Sequence, residues 1–258
     1  RHCLALCSDG SLAAWGANSK RQLGTTATLT TVYQSRVPVP VDQSGVLSGR
    51  NVVKIRCGDE YSLAICSDGS MASWGENFPN SHGNSGAVQD DLPVMVAMNG
   101  ALAGKTIVDA AAGAAHILAL CSDGSLVAWG RNTDGSLGDG SSAVRTEPVL
   151  VDQSGVLAGK SITGIGIRGM QSLAICSDGT MAAWGSSWAG FPLLPNDGAG
   201  GVDSYKPAEI DLSSLLDSGD TPHSFATSAE NILIRTVRGN LIAAGSYVVD
   251  QTGNGTPG

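Results

Sequence analysis

The sequence has little charge, few large aromatics and no long apolar run. Charged residues make up 15% of the 258, and Phe occurs three times. No apolar stretch approaches the ~20 residues of a membrane helix, so no helical membrane span is expected in this chain. Lys and Arg total 15 against 23 Asp and Glu, a net charge of −8, and the basic residues are scattered. A nucleic-acid surface needs a basic patch to displace counterions from phosphates, so nucleic acid is not an expected partner. No Ser-His-Asp, Cys-His or phosphate-cradling constellation is present, so the chain is not expected to be an enzyme. No CxxC or CxxCH spacing occurs among the six cysteines, which leaves no expected metal, haem or other cofactor. Arg1 opens directly into a repeated segment, so no signal peptide is expected within these residues.

What is present is glycine, 35 of them, and repetition. Residues 116–140 read HILALCSDGSLVAWGRNTDGSLGDG. Two short apolar runs flank Ser122-Asp123-Gly124, where Gly tolerates φ > 0 and Asp bonds its own backbone; a β-hairpin is the economical reading. The same pattern returns at residues 4–16, 63–75 and 173–185, and an eroded copy at 233–245 has Ala244 where the others carry Trp15, Trp74, Trp129 and Trp184. The turn glycines Gly10, Gly69, Gly124, Gly179 and Gly239 are 59, 55, 55 and 60 residues apart. Periods of this length, with room for four strands each, predict an all-β propeller blade per repeat.

Each unit is expected to hold a small-residue strand, the Leu-Ala-Leu-Cys strand, the Trp-Gly strand and an outer Pro-Val strand such as Val37–Val41. Proline does least harm on such an edge. Asp109–Ala115 has helical propensity, but its register with the other copies and the presence of Gly113 predict a strand of small residues. The middle strands are apolar on both faces, as expected for a blade packed between two others, with each Trp filling the space between blades. The chain reads as a single propeller domain or fragment over residues 1–258. Its repeat cores lie at 2–16, 61–75, 116–130, 171–185 and 231–245, giving about five four-stranded units.

The pattern His-x-Leu-Ala-Leu-x-x-Asp-Gly-x-x-x-x-Trp-Gly-x-Asn with a following Leu-Gly resembles the repeat of the regulator-of-chromosome-condensation (RCC1) family. In one copy it rests on His116, Leu118, Asp123, Gly124, Trp129, Gly130, Asn132, Leu137 and Gly138. In the first copy it rests on His2, Leu4, Asp9, Gly10, Trp15, Gly16, Asn18, Leu23 and Gly24. The resemblance implies a β-propeller, commonly of seven blades, whereas five hairpins are visible here. The first lacks its preceding strand and the last its Pro-Val strand. The Leu-Cys-Ser-Asp-Gly flavour resembles bacterial, often secreted members, which implies an extracellular or cell-surface protein, with a cytoplasmic one as the alternative. The implied function is a non-enzymatic, protein-binding scaffold whose partner is another protein or copies of itself. A guanine-nucleotide exchange factor for a small GTPase and a structural subunit of an extracellular assembly are the alternatives.

Several residue sets need a role. Asp9, Asp68, Asp123 and Asp178 precede the turn glycines and are expected to form turns. His2 and His116 begin equivalent strands where Tyr61, Gln171 and Asn231 stand in the other copies, a position of structural hydrogen bonding. Cys7, Cys66, Cys121 and Cys176 share one repeat position and are expected to be buried free thiols; Cys3 and Cys57 fall outside the pattern. The loop at 76–91, with Phe78 and His82, reads as solvated. The outlier is the segment at 186–205, where the other copies are polar and this one has Trp188, Phe191, Leu193, Leu194 and Tyr205. These five are the candidate partner-binding residues; covering an exposed blade edge is their alternative role.

Overall fold

A computed structural model describes residues 2–26, 33–77, 83, 89–186, 203–228 and 231–245. Two compact units are present, residues 1–131 with 144–150 and residues 132–143 with 151–258. The described residues are almost entirely β-strand and turn.

The first unit holds three antiparallel sheets. The first contains β1 (His2–Leu6), β2 (Leu12–Ala17) and β3 (Gln34–Pro40). The second contains β4 (Val52–Cys57), β5 (Tyr61–Cys66), β6 (Met71–Glu76) and β7 (Gln89–Met95), and the third β8 (Ile107–Ala112), β9 (His116–Cys121), β10 (Leu126–Gly130) and β11 (Arg145–Leu150). The second unit holds a sheet of β12 (Ile162–Arg168), β13 (Gln171–Cys176), β14 (Met181–Gly185) and β15 (Ser204–Glu209), and a sheet of β16 (Pro222–Thr227), β17 (Asn231–Thr236) and β18 (Leu241–Gly245). Strands follow chain order across every sheet, as short hairpin connections dictate. Three sheets have the expected four strands; the first and fifth have three among the described residues.

The hairpin at the centre of each repeat folds for a local reason. In the third sheet the Gly124 N–H donates to Cys121 O at 3.0 Å and the Cys121 N–H to Ser125 O at 2.9 Å, with Gly124 at φ 82°. A residue with a Cβ is strained in that left-handed region. One strand further out, the ladder slips between Ala128 and Gly130, so Trp129 sits at a bulge; the same slip flanks Trp15, Trp74 and Trp184. The outer strands β3, β7, β11 and β15 carry Pro38, Pro93, Pro148 and Pro207, and proline withholds the N–H that an intruding strand would pair with. The small-residue stretch after Thr106 is strand β8, because it completes the ladder against β9.

Packing uses both faces of each middle strand. Leu63 and Ile65 of β5, with Met71 of β6, join Ile107, Ala110, Ile117 and Ala119 of the third sheet in one cluster. The alternate residues Ala64, Cys66, Ala72 and Trp74 join Leu12 and Ala14 of the first sheet, with Leu23 and Val41 of its connections, in another. Each fully buried Leu or Ile contributes roughly 1.5–3 kcal/mol of transfer free energy, so these seams hold the sheets together. In the second unit Leu173, Ile175 and Met181 pack on Ile232 and Ile234 in the same way. The other face of the fifth sheet differs: Leu233 and Leu241 are 43% and 64% exposed, where the equivalent Leu63, Leu173, Met71 and Met181 are buried.

Two expectations are corrected. Trp74, Trp129 and Trp184 are fully buried, but Trp15 is only half-buried. The buried three each lie under a loop glycine, Gly24, Gly83 and Gly138 respectively, contributed by the preceding repeat; no described loop lies over Trp15. Cys66, Cys121 and Cys176 are buried, but Cys7 is exposed. The buried ones pair with Val52, Ile107 and Ile162 of the small-residue strands, and among the described residues no strand pairs with β1 on that side.

Candidate interaction surface

The repeated carboxylates are used up in the turns. Oδ1 of Asp9, Asp68, Asp123 and Asp178 accepts the backbone N–H of Ser11, Ser70, Ser125 and Thr180 at 2.9–3.0 Å. The second oxygen of three of them is held by a cation eighteen residues earlier: Arg50 on Asp68, Lys105 on Asp123 and Lys160 on Asp178. Hydrogen bonding and these cations hold the carboxyls below their usual range, Asp178 at about 2. The sequence reading missed the cations, although their constant spacing is visible in it. A carboxylate so engaged is a structural acceptor rather than a proton carrier.

The two equivalent histidines are structural too. His2 Nε2 lies 2.6 Å from Ser62 Oγ of the next sheet, and Ser62 Oγ donates to Gln22 O at 2.8 Å. His116 is fully buried, and burial pushes its pKa down to about 3 and that of His2 to about 4, so both rings are neutral. Tyr61, at the same repeat position, donates its hydroxyl to His116 O at 2.9 Å.

The loop after the Trp strand is built to be rigid. In the second unit Asn132 Oδ1 accepts the Leu137 N–H at 2.9 Å, while its Nδ2 donates to Asp139 Oδ1 and Ser141 O. Gly138 lies on the ring of Trp184, and Ser136 Oγ donates to Met170 O at 3.0 Å. The loop then meets the start of β15, where the Gly140 N–H donates to Tyr205 O at 2.9 Å and Gly135 packs on Tyr205. Tyr205 is 38% exposed, so its ring stands at the surface on a fixed strand beside a braced loop. Of the five candidate partner-binding residues it is the one the structure describes; Trp188, Phe191, Leu193 and Leu194 lie outside the described residues, as do Phe78 and His82. The stem before that segment is anchored, with Gln171 Nε2 donating to Ser186 O at 2.5 Å.

Two matches to family models fall on this framework, both described as the regulator of chromosome condensation (RCC1) repeat, at residues 9–65 and 107–136. The chain belongs to the RCC1 repeat family. The human E3 ubiquitin-protein ligase HERC2 is 29% identical over 191 residues, 71% of this chain and 4% of that protein. Human WBSCR16 superposes with a TM-score of 0.83 at 22% identity, covering 99% of this chain and 62% of that one. Yeast RCC1 (Prp20), solved bound to Kap60, gives 0.76 at 22% identity, covering 95% and 54%. The five sheets are therefore RCC1 propeller blades, and the chain spans just over half the length of these solved propellers and a small part of HERC2.

Proposed function

We propose that this chain is a non-enzymatic, protein-binding RCC1 scaffold whose main recognition surface is the 186–205 segment together with the braced loop at 132–141. The observation that supports it best is Tyr205, an exposed aromatic fixed on β15 and backed by Gly135. Rigid aromatics at a surface bury much area at little entropic cost, which is why interface hot spots favour Tyr and Trp. The use of this fold for protein recognition in yeast RCC1, solved with Kap60, points the same way. An extracellular or cell-surface setting is part of the proposal and is read by surface biotinylation of intact source cells.

The test is a photo-crosslinking residue at position 205, followed by affinity measurements on the crosslinked protein once purified. Trp188→Ala with Phe191→Ala is expected to weaken that complex by about 2 kcal/mol or more while leaving the melting temperature unchanged. A lowered melting temperature with unaltered affinity would mean that the segment caps a blade edge instead.

A further inference from the structure

The fourth sheet has a cavity at a place where the first sheet is sealed. In the first sheet the connection at 41–50 sends Gln43 back over the hairpin turn. There its Oε1 accepts the Leu12 N–H at 3.0 Å and its Nε2 donates to Gly10 O at 3.1 Å. The matching connection at 210–220 is a residue longer and carries Leu212 in place of that glutamine. Leucine offers neither donor nor acceptor. Gly179 and Met181, the counterparts of Gly10 and Leu12, instead line a cavity of about 500 Å³.

The lining has two chemistries. Half-buried Leu216, with the edges of the largely buried Leu212 and Pro222, gives an apolar floor, and Asp178, Glu209 and Asp211 an acidic rim. Lys160 already lies on Asp178, and Asp211 Oδ1 accepts the Ser213 N–H at 2.9 Å, while Glu209 and Asp211 are both exposed. Three carboxylates therefore face one lysine, a local excess of negative charge. A long cationic side chain matches both parts, because Lys and Arg lay an aliphatic stem on apolar surface while the charged head stays at the wet rim.

We propose that this cavity docks a basic segment of a partner protein. It receives a Lys or Arg side chain whose stem lies on Leu212 and Leu216 and whose head reaches Glu209, Asp211 and the Gly179 carbonyl. The site lies at the Met181 end of β14, whereas the 186–205 segment departs from its Gly185 end. The two readings are therefore independent.

The test is fluorescence anisotropy of a fluorescein-labelled decapeptide of alternating lysine and alanine, titrated with the full chain. Saturable binding is expected, weakened about tenfold by Glu209→Gln with Asp211→Asn. Leu212→Gln, which restores the seal of the first sheet, is expected to weaken it by a similar factor of about ten. The matched control Asp9→Asn with Asp42→Asn makes the same charge change on the first sheet and should leave affinity within about twofold. Trp188→Ala with Phe191→Ala should also leave it unchanged, which separates this site from the aromatic segment. Absence of saturable binding, equal weakening by the control, or full affinity in the folded Glu209→Gln, Asp211→Asn variant would overturn the proposal. If thermal melts show that Leu212→Gln does not fold, the charge variants decide alone.

Discussion

Gly138 lies against the indole of Trp184, so close that a Cβ there would stand 2.6 Å from the ring nitrogen. Gly24 bears the same relation to Trp74, and the Trp74 Nε1–H donates to Gln22 O at 3.0 Å. The loop glycine of the first three repeats, preceded by Leu in the first and third and by His82 in the second, is thus a lid for the next repeat's tryptophan. Two features far apart in the motif are one joint, and that joint carries the loop beside Tyr205.

Gly138→Ala should therefore be costly for two separable reasons. Its φ of 67° strains any Cβ by about 1 kcal/mol, and the overlap with Trp184 adds roughly 1–3 kcal/mol of overpacking. Gly159 has a similar φ of 69° but open space around it, so Gly159→Ala should show only the first cost, about 1 kcal/mol. Urea unfolding of both variants gives the comparison; equal losses would show that the lid contact is unimportant.

Much of this architecture was legible because its causes are local. A Ser-Asp-Gly turn, an Asn that bonds the amide five residues on, and a proline on an outer strand each announce themselves within a few residues. The fifth repeat shows the rule by breaking it. Arg238 stands where the other copies have Asp, and Asp220 stands where they have Arg or Lys; Asp220 Oδ1 now accepts the Arg238 N–H at 3.2 Å and its Oδ2 a bond from Asn240. The charges have changed places and the turn is still capped. Burial was less legible, since Trp15 and Cys7 match their counterparts in sequence and differ only in what a neighbouring element lays over them. The Leu212 cavity was hidden for the same reason: its signal is one leucine where the first and third connections have Gln43 and Gln153 and the second has Met98, and its meaning depends on the turn that Gln43 reaches.

The thiols give a three-way split. Cys3 and Cys7 are exposed and should react first with N-ethylmaleimide at pH 7. Cys57 is exposed as a residue, yet desolvation pushes its thiol up to about 11, so little thiolate is present and it should react more slowly. Cys66, Cys121 and Cys176 are buried, with thiols pushed up by that burial, and should react only on unfolding. Timed labelling with peptide mass mapping reads each site. Rapid modification of Cys121 in native buffer would contradict the packing of β9.

The buried histidines set an acid limit. In the folded chain burial holds His116 at about 3 and His2 at about 4, against 6.5 for a free ring. As pH falls below 6.5 the unfolded chain takes up protons that the folded chain refuses, so stability falls with pH across that window. Each ring removes about 1.4 kcal/mol per pH unit between its unfolded and folded pKa, and above pH 6.5 the effect vanishes. His116→Gln places at this position the side chain that Gln171 supplies in the fourth sheet. It should remove about 1.4 kcal/mol per pH unit from the slope between pH 6.5 and 5, above the range in which the lowered carboxyls add their own slope, leaving the part due to His2. Urea midpoints measured across that range make the comparison. An unchanged slope in the variant would mean that His116 is protonated in the folded chain, and its burial would need another account.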